Sequence, residues 1–461
     1  MLKKSAALIT CVMLVLTLLA GCSGDTNSAS GTAAGSENIE INIVSSTMRL
    51  ESMVDGWEQM IANFEAENPG VTVNLDMQDW EELPQYIAQA RMAGEQIDII
   101  RTTGGQIRST LAPAGALMDI TDVVEPIADR FTEGTLDAYN IGGRQWGIPY
   151  SATEVSCVYY NKTMFDELGL EEPQTLEELQ HCADVIREEK GIENPWIHQG
   201  AIVSYWPMFF EETYAQTSGN DSIAKTEDWL SGNSSFVNDE TIEAFAMIGD
   251  LFERNILTTD SLNTDETGMK ALFAQQEAAM FYGGSWEYAP TMEIVNDAFE
   301  VGVFMFPSMA DGLVPEGCGA ADTGIAVTST CNKEHADVIA KFLEFMTRPE
   351  SAQLTVGAEE PLVPPLEGVE ATDMPCAEEL LSFVPKTIMY LDWMMPAELV
   401  ESLGNQIAGV AAGQITPEAA AQAVQDTYET IVQEDGYSYD WYNDWTDEQW
   451  AAVALDVSAD A

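Results

Sequence analysis

The chain has 461 residues, 46% of them hydrophobic, with 77 acidic side chains against 18 basic ones, three histidines and a formal charge of −59. That is enough chain for two large domains or several small ones, each with its own core. So negative a surface repels nucleic acid and anionic lipid headgroups, and three histidines argue against a histidine-built zinc site. The charge also serves plain solubility and by itself names no ligand.

Residues 1–21 carry Lys3 and Lys4, an apolar run from Ala6 to Leu19, and Leu19-Ala20-Gly21 directly before Cys22. The run is short for a membrane span, and its layout is that of a cleaved export signal. A cysteine at the cut site adds a thiol that can take lipid, so Cys22 is expected to be the lipidated N-terminus of an extracytoplasmic protein. Residues 22–38 are rich in Ser, Gly, Ala, Thr and Asn, the composition of a flexible leash. Cys157, Cys182, Cys318, Cys331 and Cys376 are widely spaced and form no CxxC pair, so they are expected as buried free thiols.

From Ile39 the pattern Ile-Glu-Ile-Asn-Ile-Val alternates as a strand does. Met53, Trp57, Met60, Ile61 and Phe64 then fall at helical spacing, and Asn68-Pro69-Gly70 stops that helix before an alternating strand at 71–75. A helix around 86–92 leads through Gly94 to a strand at 97–100. Strand, helix, strand, helix, strand predicts a parallel sheet with covering helices. Further strands are expected at 155–160, 278–282 and 301–306, and Thr175 with Glu178 forms a capping box. Ala336, Ile339, Ala340, Leu343 and Met346 mark the buried face of an amphipathic helix, and Thr416-Pro417 opens a last long one.

Several of these pieces, in this order, resemble the family 1 extracellular solute-binding proteins of ABC transporters, the carbohydrate-type group that includes maltose-binding protein. The stretches that carry the resemblance are residues 57–71 (W-x3-I-x2-FE-x2-NPGV), 94–99, with Gln96 where the family usually has Pro, and Gly115-Ala-Leu-Met-Asp-Ile-Thr121. Trp146-Gly-Ile-Pro-Tyr150, residues 159–179, Gly283-Gly-Ser-Trp286 and residues 332–350 add to them. The resemblance implies an α/β, two-lobe, periplasmic-binding-protein-like fold with a hinge and a ligand cleft between the lobes. Mapped onto this chain, lobe one holds 39–149 and 303–358 and lobe two 150–302 and 359–461, with Pro149 and Pro307 near the crossings. The aromatic and acidic tail at 437–450 lies beyond the family pattern and either packs on lobe two or offers a contact surface.

The resemblance further implies a lipid-anchored receptor of the cell membrane that binds a carbohydrate, expected to be an oligosaccharide, and delivers it to the transmembrane subunits of an ABC permease. It implies a monomer with no cofactor, no metal and no catalysis. A secreted glycoside hydrolase and a surface carbohydrate receptor or adhesin are the alternatives; with 77 acidic residues, paired carboxylates carry no information about hydrolysis.

A sugar presents hydroxyls at its rim and apolar C–H faces, so its site needs flat rings and fixed polar groups. In α/β sheets such sites lie beyond the carboxyl ends of the strands. That places Asp79 and Trp80 after the second strand, Arg101 to Gln106 after the third and Trp286 after the strand at 278–282 among the candidates. Trp286 resembles the family's sugar-stacking tryptophan of the second lobe, with core packing as the alternative. Trp206 and Trp393 occupy places where relatives present aromatics to the cleft. Tyr150 adjoins the hinge, Glu154 follows it, and Asp322 precedes a strand returning to lobe one. Arg101 either balances acidic neighbours or pairs with an acidic ligand such as a uronate, with Arg49 as a possible second cation.

Overall fold

The computed structural model describes residues 38–461 other than 47, 49, 50, 80, 81, 360, 361, 373, 374 and 459–461. The expectations for the signal segment, Cys22, the leash, Arg49 and Trp80 therefore lie outside the described residues. β1 (Ile39–Ser46) leads into α1 (Glu51–Glu67), whose buried face is Met53, Trp57, Met60, Ile61 and Phe64. Gly70, at φ 97°, turns the chain into β2 (Val71–Gln78). α2 (Leu83–Ala93) ends on left-handed Gly94, and β3 (Ile99–Thr103) follows. β4 (Ile148–Pro149), β5 (Ser156–Asn161), α3 (Leu176–Lys190), β6 (Trp196–Ile197) and α4 (Trp206–Thr217) come next. Then come β7 (Met280–Gly284), β8 (Val301–Phe304), β9 (Thr323–Val327), α5 (Ala336–Met346), α6 (Ala397–Ala411) and α7 (Pro417–Thr430).

Two sheets organise two lobes. The first has the order β2-β1-β3-β9-β4; β1 lies parallel between β2 and β3, and the returning β9 runs antiparallel to β3 and β4. The second has the order β8-β5-β7-β6 and is antiparallel except for the β6–β7 pair. Trp57, Phe64, Ile99, Ile339 and Phe342 are buried in the core of lobe one. Trp196, Phe209, Phe245 and Leu403 belong to that of lobe two.

Local signals hold at several element ends. Thr175 and Glu178 make their reciprocal capping bonds, and the Thr416 side chain accepts from Ala419 N. The five cysteines among the described residues, Cys157, Cys182, Cys318, Cys331 and Cys376, are buried free thiols. Among the described residues no helix is long and apolar enough to cross a membrane.

The lobe assignment departs from expectation in two places. β8, which a boundary at 302/303 would divide, pairs along its whole length with β5, placing Val303 opposite Tyr159 and Phe304 opposite Val158. Return to the first sheet comes only with β9, because buried Val303 and Phe304 find their cover in lobe two. The tail differs more: Trp441 and Val453 are buried in lobe one with Trp146, Ile100 and Leu117, and Trp445 and Trp450 pack against them. The stretch 359–461 is therefore not all lobe two. Trp146 is wholly buried in lobe one, and the tail rings cover it.

Candidate functional site

A cleft of about 730 Å³ lies between the lobes, within the size range of small-molecule sites. Lobe one contributes the carboxyl ends of its parallel strands: Ser46 from β1, and Arg101 and Thr103 from β3, followed by Gln106. Lobe two contributes Tyr205, Trp286, Tyr288, Tyr390, Asp392 and Trp393. Glu154 and Asp322, on segments that join the lobes, and Glu359 add carboxylates.

Trp286 is placed by Gly284, two residues before it. β7 ends at Gly284, and a Cβ there would stand 1.9 Å from the Trp286 ring, so only glycine lets the indole fold back over the strand end. The ring is half-buried: it packs on the core of lobe two and also walls the cleft, and its Nε1 is buried with no hydrogen-bond partner in the structure.

Trp393 meets the opposite lobe. Cβ atoms at Gly104 and Gly105, which follow β3, would come within 2.5 and 2.8 Å of its ring, so this glycine pair is what admits the indole. Tyr390 stands beside it with ring centroids 5.4 Å apart. The Tyr390 hydroxyl is buried with no hydrogen-bond partner in the structure. Burial first, then the charge of Glu154, holds that phenol well above its usual range. Burial, and then the charge of Asp322, pushes the Asp392 carboxyl up to about 7.

Arg101 lies inside β3, one residue beyond the strand expected from the sequence. Its Nη2 donates to Glu359 Oε1 at 2.6 Å and its Nη1 to Ser46 Oγ at 3.4 Å. Glu359 Oε2 in turn accepts from Ala152 N at 3.2 Å. The pair is nearly sealed, with side chains 4% and 11% exposed.

The structure thus brings Arg101, Glu154, Trp286, Asp322 and Trp393 to one cleft. It does not bring the other described candidates there. Tyr150 is wholly buried in lobe one, edge-on to Trp57 at 5.7 Å, and its hydroxyl donates to Met346 O while meeting Thr355 Oγ1. Trp206 is wholly buried in lobe two, where its Nε1 donates to Gly200 O at 3.0 Å. Its neighbour Tyr205, the residue just before α4, lines the cleft instead, because successive side chains entering a helix point to different sides. Asp79 is exposed, and its carbonyl accepts from Glu82 N and Leu83 N where α2 begins, outside the cleft lining.

Sequence reading missed Tyr205, Tyr288, Glu359, Tyr390 and Asp392. Tyr205 and Asp392 adjoin tryptophans that drew attention, so a wider window would have caught them. Glu359 is 258 residues from Arg101 and carries no local signal.

Flat rings beside carboxylates and a buried hydroxyl can stack on apolar faces and exchange hydrogen bonds with a polyhydroxylated solute. Among the described residues no group of His, Cys, Asp and Glu is arranged to hold a metal ion.

Residues 51–353 match the family model described as bacterial extracellular solute-binding protein. A multiple sugar-binding protein of Streptococcus mutans is 23% identical over 361 residues, 76% of this chain and 80% of that protein. A galactooligosaccharide-binding protein of Bacillus subtilis is 22% identical over 351 residues, 74% of this chain and 77% of that one. Among solved structures, a chitin oligosaccharide binding protein superposes with a TM-score of 0.71 at 20% identity, over 85% of this chain and 99% of that one. One complexed with raffinose gives 0.68 at 19%, over 85% and 99%.

Proposed function

The chain belongs to the bacterial extracellular solute-binding proteins, and from that premise we propose that it is the carbohydrate receptor of an ABC importer, anchored by lipid on Cys22. Its ligand is an oligosaccharide, held in the interlobe cleft and passed to the membrane permease by a monomeric receptor. The observation that carries this reading is the 730 Å³ cleft, walled by Trp286, Tyr390 and Trp393 and edged by carboxylates from both sides. Relatives that bear the names of sugar-binding proteins support it.

Only a closed arrangement lets both lobes touch one ligand, so ligand stabilises closure and closure is the state a permease can recognise. The sealed Arg101–Glu359 pair favours the structural role for Arg101 and hence a neutral sugar over a uronate. A thermal-shift screen of neutral oligosaccharides and uronates tests this. A ligand at 100 times its Kd adds about 2.7 kcal/mol to native stability. Stabilisation by a neutral oligosaccharide without its cleavage is the expected result; stabilisation by uronates alone, or by no carbohydrate, overturns the ligand assignment. Loss of membrane retention in Cys22→Ala tests the anchor.

A further inference from the structure

The tail beyond α7 does more than cover apolar surface. On its near side it is held to lobe two. The Tyr437 amide donates to Ile431 O at 3.1 Å, and Tyr439 Oη donates to Glu227 Oε1 at 3.2 Å. Ser231 Oγ reaches Asp440 Oδ2 at 3.5 Å. One residue later it is held to lobe one. Trp441, Trp445 and Trp450 lie 5.5, 5.9 and 6.1 Å from Trp146, ring centre to ring centre. Tyr442 sits over Gly142, where a Cβ would come within 2.7 Å of its ring. Beyond the rings, Asp119 N donates to Val453 O at 2.8 Å and Lys333 Nζ to Ala452 O at 2.8 Å.

The crossing from Tyr439 to Trp441 is two residues long, and two residues of extended chain span at most about 7 Å. It runs over a crevice of about 270 Å³ whose walls include Arg108 and Asn140 from lobe one and Glu227 and Ser231 from lobe two. Trp393 lines this crevice as well as the main cleft, so the crossing lies behind the ligand site, on the far side of that indole.

We infer that the C-terminal tail is a strap: a short tether, additional to the hinge, that pins the two lobes together behind Trp393 and restricts their opening to rotation about that edge. Opening at the strapped edge is limited by chain length, whatever happens at the cleft mouth. A tail that only covered Trp146, without the bonds at Tyr439 and Asp440, would leave the chain from the end of α7 as slack and set a much looser limit.

Slackening the strap while keeping both anchors separates the two cases. Ten Gly/Ser residues inserted after Asp440 give the crossing a root-mean-square reach of about 17 Å. Spin labels at exposed Glu58→Cys in α1 and Glu188→Cys in α3 report the interlobe distance by double electron–electron resonance in the unliganded protein carrying Cys22→Ala and without residues 1–21; the five thiols among the described residues are buried. The expected result is a broader distribution with added distances ~5 Å or more beyond those of the parent, at an unchanged melting temperature. A distribution identical to the parent's overturns the strap. Should the insertion destabilise the Trp146 cluster, the same ten residues inserted after Gly436, combined with Tyr439→Phe and Ser231→Ala, slacken the chain on the lobe-two side and leave the tail tryptophans untouched. That variant must broaden the distribution too, and no change there overturns the inference. No ligand enters the measurement, so an error in the proposed sugar leaves the result interpretable.

Discussion

Replacing Glu359 by glutamine removes the negative partner of a buried guanidinium. The ion pair spans 2.6 Å between side chains 4% and 11% exposed. At an effective dielectric of about 20, two unit charges at that separation attract by about 6 kcal/mol. Glutamine keeps one oxygen, which can accept from Arg101 and recover part of the loss, but sets its NH2 against the Ala152 N–H, which also donates. Breaking a buried pair from one side costs about 3–5 kcal/mol, and the lower end, about 3 kcal/mol, is expected for Glu359→Gln. Urea unfolding followed by tryptophan fluorescence reads this as a fall in midpoint at unchanged slope. Arg101→Met with Glu359→Leu should recover most of the stability, since it leaves no charge unpaired. A Glu359→Gln protein within about 0.5 kcal/mol of the parent would refute the reasoning, because a surface pair behaves in that way.

Trp286→Ala should weaken binding of the sugar identified by thermal shift by about tenfold or more, since stacking on a half-buried indole is worth about 1 kcal/mol beyond the area it covers; titration calorimetry showing unchanged affinity would remove Trp286 from the site. Gly104→Ala places a methyl where the Trp393 ring lies at 2.5 Å, so the lobes should be wedged apart; a small-angle scattering profile identical to the parent's, with affinity retained, would count against that contact. Glu212, whose Oε1 accepts from Ser156 Oγ and Tyr282 Oη at 2.6 Å each, has its carboxyl pushed up to about 7, chiefly by burial. Its folded-state pKa stands above the unfolded value of 4.5, so the associated stability is full below about pH 4.5 and is lost as pH rises through 7, by about 3 kcal/mol. Glu212→Gln should shrink the fall in melting temperature between pH 5 and pH 8, and an unaltered fall would show that Glu212 does not titrate in this range.

Element type and order were legible in the sequence because periodicity records which face of a segment is apolar. The stripe Met53, Trp57, Met60, Ile61 and Phe64, the stop at Gly70 and the cap at Thr175 are each set within a few residues, and each stands where its pattern placed it. Gly283-Gly-Ser-Trp286 was readable for the same reason, since the glycine that makes room for the indole is its near neighbour in the chain. Periodicity does not say what covers an apolar face, and there the tertiary structure decided. Tyr205 and Trp206 are adjacent, yet one walls the cleft and the other is sealed in lobe two, a choice made by how α4 seats on its neighbours. Tyr150 reads as a hinge aromatic until Met346 and Thr355 take its hydroxyl. Arg101 acquires its partner from 258 residues away. The aromatic tail announced only a need for cover; that the cover is Trp146 in the opposite lobe, and that the chain must therefore cross between the lobes to reach it, follows from contacts distant in sequence that no local pattern encodes.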